Sequence, residues 1–242
     1  MSNIVVCKGE GALENQAEEI AQNLGLPLVT EPGSELTLLI DREGVTLMGY
    51  GLSFRGDFEN MLRRVTNGRI QHEMIARLVK TKDENPSAID ATAGMGEDSI
   101  LLAACGYKVT MFEQNPVIAE LLKDAMRRAK EHPVLGPLME RMTLIQGNSI
   151  EIMPSMESEN DIIFLDPMFP ARQKSGLINK KLQLIQKLEQ PCFQEQELLE
   201  AAIMAKPKKI IIKRPLKGAN LADRRPSYSI KGKAIRYDCI VL

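Results

Sequence analysis

The sequence predicts an α/β protein: a doubly wound, mostly parallel sheet preceded by a small N-terminal α+β subdomain. Three observations carry this. From residue 87 onward, strand, polar or glycine-rich turn and helix alternate, the order that builds a parallel sheet with right-handed crossovers. The stretch Asp161-Ile162-Ile163-Phe164-Leu165-Asp166-Pro167 is a strand with an uninterrupted apolar run, as expected where helices cover both faces of a sheet. Residues 1–66 have a different texture, with a short helix and a hairpin-like unit, so the division is 1–66 and 67–242.

Within the first part, Ala12-Leu13-Glu14 and the residues after it form a helix that ends near Gly25. Leu36–Gly51 reads as two strands around Arg42-Glu43-Gly44. Next, Ile70, Met74, Ile75, Leu78 and Val79 share one face of a helix that Glu84-Asn85-Pro86 stops. Ser87–Asp90 is a strand, residues 91–96 a glycine-containing loop, and the helix after it closes at Gly106. Lys108–Glu113 is a strand. Asn115 caps the following helix, with Pro116 at its first position. Strands at 141–146 and 161–165, helices at 180–188 and 196–205, and late strands at 208–215 and 234–242 complete the pattern.

Composition narrows the function classes. The 242 residues are 44% hydrophobic and 26% charged, in the range of ordinary globular domains. No apolar run approaches the roughly 20 residues that span a bilayer, and the start lacks the pattern of a signal peptide. Cys7, Cys105, Cys192 and Cys239 lie far apart and form no CxxC pair. With His72 and His132 the only histidines, no metal site is expected and the thiols read as reduced and cytoplasmic. The net charge of −1 hides an asymmetry. Residues 171–242 hold 16 Lys and Arg against 6 Asp and Glu, a net +10, while residues 1–170 hold 15 against 26, a net −11. A basic final third points toward a polyanion or is simply a solvated face.

In doubly wound sheets, ligands bind beyond the carboxyl ends of the strands. The first such end is Asp90, followed by a loop in which Gly94 and Gly96 permit a tight turn and close approach of the backbone to a ligand. Glu113 ends the second strand, where a carboxylate can accept both hydroxyl protons of a ribose. A nicotinamide dinucleotide would use that acid too, but its fingerprint needs a third glycine where this chain has Ser99. Asp90, Asp98 and Glu113 suit an amine-bearing, phosphate-free ligand such as S-adenosylmethionine better than a pyrophosphate. Asn148 and Ser149, after Gly147, stand where an adenine edge could be bonded, or are turn formers.

The fourth end is Asp166-Pro167-Met168-Phe169-Pro170. An exocyclic amino group on a nucleobase is a poor nucleophile because its lone pair is delocalised into the ring. A carboxylate and a backbone carbonyl that accept its two N–H bonds favour the pyramidal, nucleophilic nitrogen. Proline aims the Pro167 carbonyl in advance, and Phe169 can stack on the base. The motif by itself serves amino groups of guanine, adenine, cytosine or a protein glutamine. A dinucleotide-dependent oxidoreductase and a catalytically silent RNA-binding module also remain in play.

Asp-Ala-Thr-Ala-Gly-Met-Gly-Glu-Asp at 90–98, Glu-Gln-Asn-Pro at 113–116, Leu-Asp-Pro-Met-Phe-Pro from 165 and Ile-Ile-Ile-Lys-Arg-Pro at 210–215 occur in one order. This set resembles the bacterial ribosomal RNA small subunit methyltransferase J family, with Met168 in the place of a second proline, over about residues 50–242. The resemblance implies a class I methyltransferase fold, Rossmann-like, with a seven-stranded sheet ending in an antiparallel hairpin. It implies transfer of a methyl group from S-adenosylmethionine to the N2 of a guanine in 16S rRNA or the small ribosomal subunit. Glu97-Asp98, Glu113-Gln114, Asn148-Ser149 and Asp166 would contact the donor. Asp166, Pro167 and Phe169 would hold the base. Arg63-Arg64, Arg69, Arg172, Lys174, Lys180-Lys181, Lys206, Lys208-Lys209, Lys213-Arg214 and Arg224-Arg225 would then be candidate phosphate contacts.

Overall fold

Two sheets organise the chain. The computed structural model describes residues 4–13, 15–33, 36–156, 160–167, 180–188 and 194–242, leaving aside the side chains of 180–182 and 186. The first sheet holds β1 (Ile4–Lys8), β2 (Leu28–Val29), β3 (Leu36–Asp41), β4 (Gly44–Gly49) and β5 (Leu52–Phe54), in the order β2-β1-β3-β4-β5. Helix α1 (Gln16–Leu24) links β1 to β2 and ends, as the sequence predicts, at Gly25 in the left-handed region. The β3–β4 hairpin turns at Arg42-Glu43, also as predicted. The remaining strands were not expected. β1 pairs in parallel with β3, its partner some thirty residues on, so no local turn announces it.

Past β5, a 3-10 turn at Phe58–Met61 leads into α2 (Leu62–Val65). The single helix expected over residues 70–79 is broken. Ile70–His72 forms a 3-10 turn, Glu73 is extended (φ −68°, ψ 140°), and α3 covers Met74–Leu78, ending well before Pro86. The apolar face survives the break: Ile75, Leu78 and Val79 are buried, and Ile70 and Met74 pack against the same core. At the break, the Glu73 carboxylate takes two bonds from the Arg64 guanidinium, at 2.9 and 2.8 Å, which secures the interruption.

The second sheet contains β6 (Ser87–Asp90), β7 (Lys108–Glu113), β8 (Met142–Gln146), β9 (Ile162–Leu165), β10 (Lys209–Pro215), β11 (Tyr228–Lys231) and β12 (Ile235–Val241). Their order is β11-β12-β10-β9-β6-β7-β8, with β6 to β10 parallel and β12 antiparallel to both β10 and β11. This is the seven-stranded sheet with a terminal antiparallel hairpin that the motifs imply. The connecting helices are α4 (Glu97–Ala104), α5 (Pro116–Ala129), α6 (Gly136–Met139), α7 (Ser149–Ile152), α8 (Lys180–Leu188) and α9 (Glu195–Met204). Asn115 caps α5, its side chain accepting from Val117 and Ile118 N–H, with Pro116 next. One core lies on the α4 side of the sheet, around Ile100, Leu101, Val109, Met111 and Phe164. A second lies on the α9 side, around Ile89, Phe112, Ile163, Leu165, Leu198 and Ile212.

The first sheet is fastened to α5. Val6, Leu38, Ile40, Val45 and Leu47 share a core with Val117 and Leu121 of α5 and Leu184 of α8. At its edge, buried Asp124 of α5 accepts from Val45 N–H at 3.0 Å and from the Arg127 and Arg128 guanidinium groups at 2.8 Å each. Arg128 in turn donates to the Gly56 carbonyl. One carboxylate therefore holds a β-turn of the first sheet to a helix of the second. Replacing it leaves a buried N–H and two guanidinium groups without their acceptor. Asp124→Ala is expected to cost about 3 kcal/mol in urea unfolding, and a variant as stable as the parent would show that apolar packing alone joins the sheets.

Candidate active site

The loops after β6, β7, β9 and β10 meet at the carboxyl edge of the second sheet. Asp90, the last residue of β6, lies beneath its loop and is 1% exposed. One carboxylate oxygen accepts from the Ser99 hydroxyl at 2.5 Å and the other from Thr92 N–H at 3.2 Å. Burial pushes the Asp90 carboxyl up to about 7, against the pull of these two bonds. Ala91 and Ala93 extend the strand pairing, donating to the carbonyls of Phe164 and Phe112. The loop then turns on Gly94 (φ +52°) and Gly96 (φ +74°). Around Gly94 a Cβ would meet nothing within 4 Å, so this backbone is open to a ligand. At Gly96 it would come within 3.1 Å of Phe58 and Leu122. Gly94 thus faces open space and Gly96 is packed.

Glu113 ends β7 and is buried, but it does not reach away from the loop. One oxygen accepts from Gly94 N–H at 3.0 Å and the other from Asn115 N–H at 2.6 Å. Its own carbonyl accepts from Gly147 N–H at 2.9 Å, which brings the loop after β8 to the same edge. Gln114 beside it is exposed. Asn148 spends its side chain locally: its oxygen caps α7 through Ile150 N–H, and its amide donates to Glu151. Ser149 is buried behind it.

Asp166 and Pro167 follow β9. The Asp166 N–H donates to the Thr92 hydroxyl at 2.7 Å, tying the turn to the glycine loop. The Asp166 side chain is one-third exposed (33%) and lies open at the edge. Met168 and Phe169 fall outside the described residues, as do Arg172 and Lys174. Lys213, expected near this edge as a phosphate contact, is bound there to two acids instead. It stands inside β10, which runs on through Pro215, and its ammonium lies 2.6 Å from Asp98 and 2.8 Å from Asp166. Two carboxylates raise its affinity for a proton and keep it charged, despite its burial. For Asp166, burial raises the carboxyl pKa above its ordinary value while Lys213 pulls the other way. Tyr237 of β12 pairs with Lys213 across the strands and packs its ring 6.1 Å from Phe164.

Several cations expected on phosphates are thus committed elsewhere. Lys213 binds the two acids. Arg214 is buried, bonding Glu195 and the Ala219 carbonyl. Arg64 holds Glu73, Lys208 pairs with Asp161, and Lys209 donates to the Leu78 carbonyl. Arg63, Arg69, Lys206, Arg224 and Arg225 remain exposed, with no ion pair among the described residues. The sequence carried the signal for Lys213: it is the first charge after Ile210-Ile211-Ile212, at the ligand-facing end of a buried strand.

The edge therefore gathers Asp98, Glu113 and Asp166 around one ammonium and a glycine loop. Residues 20–242 match the family model described as "Putative SAM-dependent methyltransferase". The ribosomal RNA small subunit methyltransferase J of Thioalkalivibrio sulfidiphilus is 37% identical over 239 residues, covering 95% of this chain and 94% of that protein. The protein of that name from Pseudomonas aeruginosa is 35% identical over 230 residues, covering 92% of this chain and 88% of the relative. The chain belongs to the ribosomal RNA small subunit methyltransferase J family. A crystal structure of an S-adenosylmethionine-dependent methyltransferase from Neisseria gonorrhoeae superimposes with a TM-score of 0.79 at 30% identity, over 98% of this chain and 95% of that one. The similarity to methyltransferase J proteins reaches well into the first sheet, further toward the N-terminus than the motifs from residue 50 onward indicate.

S-adenosylmethionine is the cofactor of this methyltransferase J chain, and the site chemistry fits it. The edge offers acids and an open glycine backbone, the complement of a cationic ligand without phosphates. Among the described residues, no helix is long and apolar enough to cross a membrane, and no three His, Cys, Asp or Glu side chains group as metal ligands do.

Asp90 yields a prediction on stability. Its folded pKa, about 7, lies above the ordinary 3.8, so between these values the folded chain keeps a proton that the unfolded chain has lost. Its contribution is fully present below the ordinary value and is lost as pH rises toward 7. Asp90→Asn cannot ionise and escapes that loss. The melting temperature of Asp90→Asn, relative to the parent, is expected to rise between pH 5 and pH 8; a constant difference would mean that Asp90 titrates normally.

Proposed function

We propose that this protein transfers a methyl group from S-adenosylmethionine to the exocyclic N2 of a guanine in 16S rRNA, in the cytoplasm. The observation that carries this reading is the placement of Asp166. Its carboxylate is open, its backbone is tied to the glycine loop through Thr92, and Pro167 follows it. The relatives' names supply the substrate class, ribosomal RNA of the small subunit.

When bound, S-adenosylmethionine supplies a methyl group on a positively charged sulfur. Gly94 and Gly96, the first turn of α4 with Glu97 and Asp98, and the Glu113-Gln114 and Asn148-Ser149 ends are the residues to hold it, with Asp90 bracing them from below. Glu113 already accepts two backbone bonds, and a carboxylate has about four acceptor positions, so hydrogen bonds from ribose hydroxyls are compatible with its place in the loop. Asp166 and the Pro167 carbonyl accept the two N–H bonds of the guanine amino group, drawing its lone pair out of the ring. Phe169 stacks on the base. This alignment is the main catalytic contribution, because the displacement needs no covalent enzyme intermediate. Asp166 stays ionised while the amino proton passes to water.

The decisive experiment maps modified bases by mass spectrometry in rRNA from cells with and without this protein, together with labelled-methyl transfer into small subunits, free rRNA, DNA and protein. A single N2-methylguanine that depends on the protein is expected. Label appearing in DNA or protein instead would overturn the proposal. Asp166→Ala should lower kcat on the RNA substrate by about 10²-fold or more, and parental turnover by this variant would remove Asp166 from the reaction.

A further inference from the structure

We propose that Lys213 is a positioning residue for this reaction, its ammonium holding the Asp166 carboxylate ionised and oriented toward the substrate's amino group. This rests on the reading of Asp166 as the amino-group acceptor. Lys213 acts on the substrate only through Asp166.

The geometry makes the assignment. Lys213 pairs with Tyr237 of β12 and directly follows Ile212, the last residue of β10 paired with β9, so its Cα is held in place. Its ammonium contacts Asp166 at 2.8 Å and Asp98 at 2.6 Å. The other end of Asp166 is fixed through its N–H to Thr92. Among the described residues, the charged and titratable groups whose fields reach Asp166 are Lys213 and Arg214 of β10, Asp98 of α4, Asp90 of β6 and Tyr237 of β12. Arg214 is turned onto Glu195 and the Ala219 carbonyl, which leaves Lys213 as the cation in contact. Without it, the partly buried Asp166 carboxylate beside Asp98 and Asp90 would hold a proton more tightly. A protonated carboxyl turns one of its oxygens into a donor and loses the charge that draws on the amino N–H.

The alternative role, a phosphate contact, would need the ammonium to leave two carboxylates for solvent. The two roles leave different signatures. A phosphate contact changes RNA affinity and its salt dependence. A positioning residue changes the pH dependence of kcat.

The test uses the full-length protein with Lys213→Met, Lys213→Gln and Lys213→Arg, small ribosomal subunits and S-adenosylmethionine. Folding is checked by thermal melting, and two neutral replacements of different polarity guard against one that fails to fold. The Asp166 carboxyl is followed by carbon-13 NMR, assigned with Asp166→Asn. In both neutral variants Asp166 is expected to titrate at least about one pH unit higher. The acid limb of kcat should move upward by the same amount, a loss of about tenfold on that limb that shrinks as pH rises. The KM for RNA should stay unchanged, and Lys213→Arg should restore the parental profile. An unmoved Asp166 titration in the neutral variants would overturn the proposal. So would a raised RNA KM with an unmoved pH profile, which would make Lys213 a phosphate contact. If the parent protein methylates no rRNA, the proposed function fails, while the carboxyl titration still decides whether Lys213 controls Asp166.

Discussion

Two carboxylates turned into the protein, Asp90 and Glu113, hold the loop after β6 in its shape. Asp90 grips it from below through Ser99 and Thr92, and Glu113 grips it from the side through the Gly94 N–H. A loop with two left-handed glycines has many conformations to lose, and these bonds select one. Every other part of the edge is placed relative to it. Thr92 anchors Asp166, α4 begins at Gly96 and presents Asp98, and Gly147 closes onto Glu113. The acid at the end of β7 thus has a structural task before any ligand arrives.

The first sheet reaches this loop as well. Its exit segment passes Gly56 and Phe58 across the glycine turn. A Cβ at Gly56 would run into Met95, and one at Gly96 would press on Phe58. Met95 itself packs against both the core of the first sheet and that of the second. The Asp124 network, a short distance along α5, fixes the same segment through Arg128 and the Gly56 carbonyl. The segment leaving the N-terminal sheet is therefore coupled to the loop by close packing, where a displaced methyl group is felt.

Electrostatics at the edge are unusual for a protein built to meet a polyanion. Asp98 and Asp166 bring acidic side chains together at the carboxyl edge of the second sheet, with a lysine inserted between them. Arg63, Arg69, Lys206, Arg224 and Arg225, with no acidic partner among the described residues, are exposed on the surface. Part of the basic excess in the last third of the sequence is consumed internally: Lys208, Lys213, Arg214 and Arg236 pair with Asp161, Asp98 and Asp166, Glu195 and Asp238.

The sequence by itself determined the order of the main strands and helices from residue 87, though not β11, α6 or α7, together with the Asn115 cap, the Gly25 stop and the β3–β4 turn. These depend on local periodicity and turn chemistry. It also marked Asp90, the glycine loop, Glu113 and Asp166 as strand-end residues, because strand ends are legible from where an apolar run meets a polar turn. Only the tertiary structure decided what those side chains do. That Ser99 bonds Asp90, that Glu113 clasps Gly94, and that Lys213 meets Asp98, 115 residues before it, as well as Asp166, are outcomes of the way the loops meet at the sheet edge. The strand β1 and the break at Glu73 were hidden for the same reason. Parallel pairing with a distant strand and an ion pair with Arg64 leave no mark in a local window, because the partner that stabilises each lies elsewhere in the sequence.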